Sequence, residues 1–455
     1  MPDKDTNQQN DFMIEKIKQR PINRKKLLRR TVITASMAVI FGLIACFTFL
    51  ILEPVISNWL YPQEEAEIVK FPEDQSEMSP EEMLAENLSA ENPDPETSSG
   101  EENITLDEEQ IAAILDRVTL DKKSYAQMYE NLHDFVYKPE DISGETSISQ
   151  YMVTIRGISS NIDWFNTVQE SNSRTSGVII ADNGKEFLIL VDYTSLKNAD
   201  DLVLELHDGY YQIEAKLKGY DPSTGLAVVA VDINSMPVEW LEIGGLAVAP
   251  LGSSNLQDLV GTPVIAMGSP MGISDSMGYG IITASGTFSA TDRNYKLMLT
   301  SIEGSRKASG ALFNLKGELI GIITSNKISS DIGNMINAYG ITELKKVVEK
   351  MSNESKLPYM GISGVNVPWI VHLNNNVPYG AYVTDLDMDS PAMLAGIQHG
   401  DVITAVDDTE VTYFNDYSTA LLQIEPGQTV NLTVMRQVQT EYKEMKFSIV
   451  LGESK

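Results

Sequence analysis

A serine and a lysine two positions apart could together perform nucleophilic catalysis. Lys307 and Ser309 lie in a polar stretch just before a predicted β-hairpin, residues 310–322, whose turn contains Gly317. A serine hydroxyl is a weak nucleophile at neutral pH and needs an adjacent base, which a lysine supplies in Ser–Lys dyads. The alternative, which we favour, is that Lys307 is a solvated loop charge.

The composition gives little support to metal or nucleic-acid chemistry. The chain of 455 residues has 34 basic and 64 acidic residues, and the net charge of −30 disfavours phosphate backbones as partners. The single cysteine, Cys46, excludes an internal disulfide, and its apolar surroundings indicate a small buried hydrophobic residue. No two histidines stand at metal-ligand spacing, so we predict neither a metal nor another cofactor. They are His133, His207, His372 and His399.

An apolar run near the N-terminus predicts a membrane anchor. Residues 31–52 are almost purely apolar and would span about 33 Å as a helix, which is enough to cross a bilayer. The preceding tail, residues 1–30, is basic in its second half, which favours a cytoplasmic N-terminus and extracytoplasmic C-terminal domains. A cleaved signal peptide is the alternative, but the run is long for one and no Ala-x-Ala-like site follows. We therefore predict a single-pass plasma-membrane protein.

Two connecting segments follow the predicted span. Residues 53–104 are acidic and poor in apolar residues, so they cannot bury enough surface to offset their ordering entropy. We predict a solvated, disordered stalk there. At Thr105 a capping-box pattern, Thr-Leu-Asp-Glu, opens the first of two amphipathic helices. We assign residues 105–146 to a helical linker that packs on the next domain.

The pattern of residues 147–351 changes to one typical of β-strands. Short runs of alternating apolar and polar residues follow one another at near-regular spacing. Asp-Asn-Gly at 182–184 and Asp-Gly at 208–209 provide tight turns between them. Such a series predicts a closed antiparallel barrel or a pair of barrels.

Five strings in this block resemble the protease domain of the HtrA (Deg) family, in that family's order and spacing. They are SGVIIADNGKEFLILVDY, YDPSTGLAVVAVDI, VIAMGSPMG, GYGIITASG and SGALFNLKGELIGI. The resemblance implies a chymotrypsin-like double β-barrel that carries a Ser-His-Asp triad.

The triad implied by this resemblance is degenerate. The histidine position corresponds to Thr194, after Tyr193, and the aspartate of the family's DPxTDLAV string corresponds to Gly225. The serine of GNSGG corresponds to Ala308 without a gap, or to Ser309 with a one-residue deletion, and both alignments stay open. Thr194 cannot accept a proton at useful pH, and Gly225 has no side chain to orient a base.

Two further residues bear on catalysis. Arg306 replaces a glycine of the family's oxyanion loop, and a bulky residue there disfavours a left-handed turn. His207 falls at a predicted hairpin tip, and we interpret it as a turn residue and not as a relocated base.

The C-terminal segment, residues 357–455, resembles a PDZ domain of the kind that HtrA proteases carry. The strings LPYMGISGVNV and GAYVTDLDMDSPAMLAGIQHGDVITAVDDTEV support this resemblance. Tyr359-Met360-Gly361-Ile362 matches the carboxylate-binding loop, whose backbone N–H groups capture a C-terminal carboxylate while the peptide adds a strand to a sheet edge. The resemblance implies a peptide or protein ligand for this loop.

The sequence predicts a mainly β protein with an N-terminal transmembrane helix, a chymotrypsin-like double barrel and a PDZ domain. The leading hypothesis is an extracytoplasmic HtrA-like pseudoprotease that binds peptides or partner proteins, with envelope protein quality control as the analogy. A second hypothesis is an active serine endopeptidase that uses Ser309 in a non-standard site. A third is an inactive regulatory subunit within an HtrA-like oligomer, either a homotrimer or a hetero-oligomer with active paralogues.

Overall fold

The computed structural model of the chain divides into two compact units, residues 1–65 and 66–455. In the first unit the described residues are Ala35 and Met37, both helical and exposed, so the predicted span lies otherwise outside the described residues. In the part of the chain that is described, no helix is both long and apolar enough to cross a membrane. The structure describes residues 35, 37, 66–72, 122–137, 147–162, 168–206, 211–238, 245–256, 258–324, 334–439 and 441–454.

A short segment of the predicted stalk is packed against the folded core. Residues 66–72 lie within the stretch 53–104, yet Val69 is buried and its N–H donates to the Asn353 side chain over 3.1 Å. Phe71 is partly buried against the same core. This part of the predicted stalk therefore makes ordered contacts with the folded core.

One helix precedes the barrels. Helix α1 (Lys122–Tyr137) lies in the predicted helical linker, and Val136 near its end is fully buried in the core that the barrels share. The first predicted helix, which begins at Thr105, lies outside the described residues. A 3₁₀ helix (Ile148–Tyr151) then leads into the first strand.

Six antiparallel strands close the first barrel in the order β1-β2-β3-β6-β5-β4, with β4 paired to β1. Their alternating apolar residues face inward, and the fully buried Ile155 and Val229 belong to the core they form. The strands are β1 (Met152–Ile162), β2 (Val168–Asp182), β3 (Glu186–Asp192), β4 (Asp201–Glu205), β5 (Gln212–Asp221) and β6 (Leu226–Asp232).

A second barrel of six strands follows in the order β10-β11-β12-β9-β8-β7, with β7 paired to β10. Helix α2 (Ile341–Ser352) leaves this barrel and crosses onto the first one. There the Met351 backbone would lie 2.8 Å from a Cβ at Gly219, so the close approach requires a glycine in β5. The strands are β7 (Pro263–Ser269), β8 (Ser276–Ala290), β9 (Arg293–Glu303), β10 (Ser309–Phe313), β11 (Leu319–Thr324) and β12 (Met335–Gly340).

The C-terminal part forms a PDZ-like sheet in the order β14-β15-β16-β18-β19, with β17 on β16 and a separate β13–β20 pair. The mainly β prediction, with two chymotrypsin-like barrels and a PDZ domain, is confirmed. The strands are β13 (Pro358–Tyr359), β14 (Ile362–Asn366), β15 (Ala381–Leu386), β16 (Val402–Val406), β17 (Thr409–Glu410), β18 (Thr429–Val438), β19 (Glu441–Val450) and β20 (Gly452–Glu453). The helices are α3 (Trp369–Asn375), α4 (Pro391–Ala395) and α5 (Phe414–Leu422).

Gly310 is a tight point of the second barrel, where β7 and β10 pair. Its φ is +123°, and an added Cβ would overlap the carbonyl oxygen of Met267. We expect Gly310→Ala to lower the free energy of unfolding by about 2–4 kcal/mol, through left-handed strain and overpacking. Thermal unfolding followed by circular dichroism measures the change.

Gly286→Ala is the matched control, because no atom lies within 4 Å of its added Cβ in the same barrel. It should change stability by less than about 1 kcal/mol. Equal effects of the two substitutions would contradict the close approach at Gly310.

Candidate active site and carboxylate-binding groove

The strand register brings two of the predicted triad positions together. β3 and β6 pair with Asp192 opposite Leu226, so the residues just beyond these ends meet. The N–H of Tyr193 donates to the carbonyl oxygen of Gly225 over 2.9 Å. A Cβ at Gly225 would lie 2.9 Å from the hydroxyl oxygen of Thr194, so a side chain at position 225 would point at position 194.

Neither of these two residues can act as a base. Thr194 is exposed, and its N–H donates to the Asp192 carboxylate over 2.9 Å. Gly225 has a φ of +78°, a left-handed conformation that glycine adopts without strain. Two positions that meet in this way carry no titratable side chain, whereas a triad needs a histidine and an aspartate in contact.

Ser309 faces the seam between the two barrels. It is 6% exposed, and its hydroxyl accepts a hydrogen bond from the N–H of Ser176 in β2 over 3.0 Å. The Ser176 hydroxyl is in turn 2.7 Å from that of Ser269, which pairs with Ser309 across β7 and β10. The three serines form a hydrogen-bonded cluster that joins the barrels, and the Ser309 hydroxyl is engaged there.

Ala308, the other candidate for the nucleophile position, is buried in the core of the second barrel. Its N–H donates to the Ser305 carbonyl oxygen over 3.1 Å and closes a turn with Arg306 and Lys307 exposed at its tip. An oxyanion hole needs donors that are directed at the substrate, and in the triad proteases one is the N–H of the nucleophile itself. At Ala308 that donor is already used within the turn.

The Ser–Lys alternative is not assembled by this turn. Lys307 is exposed, whereas Ser309 is buried with its hydroxyl bonded to Ser176. The positions of the two residues favour the interpretation of Lys307 as a solvated loop charge.

The described histidines lie on the linker helix and in the PDZ domain. His133 is on α1 beside Asp134, and His372 and His399 are both in the C-terminal domain. His207 lies outside the described residues. Across the described ranges, no group of three His, Cys, Asp or Glu side chains could hold a metal ion.

The predicted carboxylate-binding loop holds a carboxylate of this chain. The N–H groups of Met360 and Gly361 donate to one oxygen of Asp292, over 2.7 and 2.9 Å, and the N–H of Ile362 donates to the other over 2.9 Å. The Tyr417 hydroxyl on α5 donates to that second oxygen over 2.8 Å. Tyr359 is the fourth predicted loop residue, and its hydroxyl donates to Asp387 over 2.9 Å.

Asp292 sits in the β8–β9 tip, a name we give to residues 291–294 of the second barrel. It is 1% exposed and has a φ of +64°, which aspartate tolerates in tight turns. Sequence reasoning missed this residue. An aspartate in a hairpin turn satisfies local rules, and no local signal indicates a partner about seventy positions further along the chain.

Burial and hydrogen bonding have opposite effects on the pKa of this aspartate. Burial raises the pKa of the Asp292 carboxyl above its ordinary value, whereas the loop N–H groups and the Tyr417 hydroxyl favour the charged form. Burial, with Asp292 close by, also raises the pKa of Tyr417 well above its ordinary value. Tyr417 therefore stays protonated and donates to the carboxylate.

A second buried carboxylate connects the β8–β9 tip to the first barrel. Asp221 is fully buried and accepts from the Tyr295 hydroxyl over 2.9 Å, while the Arg293 guanidinium lies 3.4 Å away. Ser223 and Thr224 also donate to Asp221 through their hydroxyls. The turn that ends at the aspartate position of the triad is therefore bonded to the segment that occupies the PDZ loop.

Two closed six-stranded barrels followed by a PDZ-like domain define a protein of trypsin-like peptidase fold with a C-terminal PDZ domain. Comparison with protein families agrees with this class. Residues 175–322 match the family described as "Trypsin-like peptidase domain", and residues 358–449 match the family described as "PDZ domain".

Individual relatives support the resemblance to HtrA and DegP proteases. A "Probable periplasmic serine endoprotease DegP-like" of Halomonas elongata is 30% identical over 277 residues, covering 59% of this chain and 55% of the relative. "Serine endoprotease DegS" of Escherichia coli is 26% identical over 331 residues, covering 69% of this chain and 88% of the relative. The chain thus spans about half the length of its DegP-like relatives. The solved structure "HtrA-type protease AlgW with decapeptide" aligns at 21% identity with a TM-score of 0.47, covering 67% of this chain and 96% of that one.

Substitution of Gly225 tests whether position 225 faces position 194. We expect Gly225→Ala to destabilise the protein by about 1–3 kcal/mol, from left-handed strain and from the contact with the Thr194 hydroxyl. Gly184→Ala isolates the backbone cost, because Gly184 has a φ of +80° with no atom within 4 Å of an added Cβ.

In a Thr194→Ala background, the cost of Gly225→Ala should fall to that of Gly184→Ala. Thermal unfolding of the single and double variants provides this double-mutant cycle. A cost that stays the same in both backgrounds would mean that the two positions do not face each other.

Proposed function

We propose that this chain is a pseudoprotease of HtrA type, anchored in the membrane by residues 31–52, that binds peptides or partner proteins outside the cytoplasm. One observation carries the proposal. Thr194 and Gly225 meet where the histidine and aspartate would stand, while the Ser309 hydroxyl is bonded into the seam between the barrels. The fold is kept, and the side chains that hydrolysis needs are replaced.

The absence of a catalytic base and of the carboxylate that orients it has a large effect on the rate of hydrolysis. Loss of triad members that act as a unit costs about a million-fold in turnover, and the oxyanion hole and substrate binding supply what remains. Here the Ala308 N–H is bonded to Ser305, so the remaining contribution is weakened as well. A site of this kind can still bind a chain in the cleft, since binding does not require the triad.

The PDZ domain provides the binding function. Residues 360–362 present three convergent N–H groups that match a carboxylate, and β14 beside α5 offers a sheet edge for an added strand. The proposed extracytoplasmic location rests on the basic tail before the apolar run and on the DegP-like relatives, which are described as periplasmic.

Two other functions compete with this proposal. The relatives carry the name serine endoprotease, which favours an active enzyme with Ser309 as its nucleophile. The architecture also suits an inactive subunit in an HtrA-like oligomer. The full chain purified from its own host by an affinity tag, followed by light scattering and mass spectrometry, tests this last function. A monomer free of any co-purifying protease would exclude it.

A fluorophosphonate probe separates the pseudoprotease from the enzyme. We expect the full-length chain in detergent to form no adduct by intact mass and to leave casein undigested, because Ser309 has no base and its hydroxyl is engaged. Trypsin under the same conditions is the positive control, and Ser309→Ala is the matched variant. An adduct that maps to Ser309 and vanishes in Ser309→Ala would establish a protease.

A further inference from the structure

We propose that Asp292 is an internal ligand of the PDZ carboxylate-binding loop, so that a peptide with a free C-terminal carboxylate binds only by displacing the β8–β9 tip. The proposal rests on the peptide-binding function proposed above and adds how that site is regulated. The ligand in the resting state is a side chain of the second barrel, and its competitor is the C-terminus of another protein.

The Asp292 carboxylate makes the contacts that a peptide C-terminus would make. Three successive N–H groups, those of residues 360–362, converge on its two oxygens within 2.9 Å. A carboxylate that accepts several backbone N–H bonds is the defining contact of this recognition mode. Since each of these donors has one proton to give, a second carboxylate cannot be bound while Asp292 is in place.

The backbone of the β8–β9 tip also makes hydrogen bonds that a bound peptide would make. The N–H of Asp292 donates to the carbonyl oxygen of Ile362 over 2.6 Å, which is the type of bond that an added strand makes with β14. The Asn294 side chain donates to the carbonyl oxygen of Gly364, two residues further along the same strand, over 3.0 Å. The tip thus occupies the position of the last residues of a bound peptide.

The helix on the other side of the groove also contacts the tip. On α5, the Tyr417 hydroxyl donates to the Asp292 carboxylate, and the Ser418 hydroxyl donates to the Asp292 carbonyl oxygen over 2.8 Å. Thr291 adds a hydrogen bond to Asp387 over 3.1 Å. Asp292 and Tyr417 are at most 1% exposed, so a peptide has no room beside the tip.

Displacement of the tip would remove a contact with the first barrel. Arg293 follows Asp292 directly and is 5% exposed, and its guanidinium lies 3.4 Å from the Asp221 carboxylate. Moving Asp292 out of the PDZ loop moves Arg293 with it, which leaves Asp221 with fewer partners. The turn from Asp221 to Gly225 is therefore the part of the first barrel that responds to a PDZ ligand.

Peptide binding to the full-length chain tests the proposal. The probes are fluorescein-labelled decapeptides of mixed sequence that end in Val, Leu or Phe with a free carboxylate, and the same peptides with an amidated C-terminus. If nine in ten molecules hold the tip docked, release should lower the apparent Kd about tenfold. We therefore expect Asp292→Ala to bind the free-carboxylate pool at least about tenfold more tightly than the wild type, with no gain for the amidated pool.

Two further variants serve as a control and as a substitute for Asp292→Ala in this experiment. Asp275→Ala is the matched control, since Asp275 is an aspartate of the same barrel with a φ of +59° in another hairpin, and it should bind like the wild type. If Asp292→Ala fails to fold, Asp292→Asn keeps the size of the side chain and places an NH₂ group against the loop donors. It should also bind more tightly than the wild type.

Hydrogen exchange on the wild type supplies a readout that needs no variant. Saturating peptide should deprotect the backbone amides of residues 290–294 while residues 360–364 stay protected. Wild type and Asp292→Ala that bind equally well, with the tip still protected, would overturn the internal ligand and leave the proposed function standing. Failure of every folded variant to bind any free-carboxylate peptide would overturn the proposed function, and the internal ligand with it.

Discussion

Three folded parts of this chain meet around one buried cation, Arg293. Its guanidinium lies beside Asp221 of the first barrel, and the preceding residue, Asp292, delivers a carboxylate to the PDZ loop. Charges removed from water are costly unless they are paired and hydrogen-bonded, so each aspartate depends on partners from another part of the fold. The two barrels and the PDZ domain are therefore held in one arrangement by a few polar contacts of high specificity, in addition to their apolar cores.

In the pair of barrels, backbone contacts decide which residues lie at the candidate site. The β3–β6 register places residues 194 and 225 side by side through backbone contacts alone, whatever side chains they carry. Buried polar groups at the seam must be paired, and hydrogen bonds within the serine cluster pair them there. The cluster consists of Ser176, Ser269 and Ser309. Neither the β3–β6 register nor the serine cluster depends on a histidine at position 194 or an aspartate at position 225.

Local sequence patterns predicted the features of the fold that depend on neighbouring residues. Alternation of apolar residues predicted the strands, and the pairing of those strands places Gly225 beside Thr194 because register follows from strand pairing. The pairing of Asp292 with residues 360–362 could not be predicted, since it joins two segments that are each locally complete as a hairpin turn and a loop. The packing of residues 66–72 was missed for a related reason. The acidic composition of the whole stalk predicts a solvated chain, but it does not reveal that one residue in it, Val69, is buried and bonded to Asn353.

A chain of contacts runs from the PDZ groove to the turn that contains Gly225. The loop N–H groups hold Asp292, Arg293 faces Asp221, and the Asp221 carbonyl oxygen accepts the N–H of Gly225 over 2.9 Å. Its far end is the turn beside Thr194, so displacement of the β8–β9 tip, as proposed, would change the shape of this barrel edge. If the chain binds C-termini as proposed, the exposed hairpin tip and the rearranged barrel edge become surfaces that a partner can recognise.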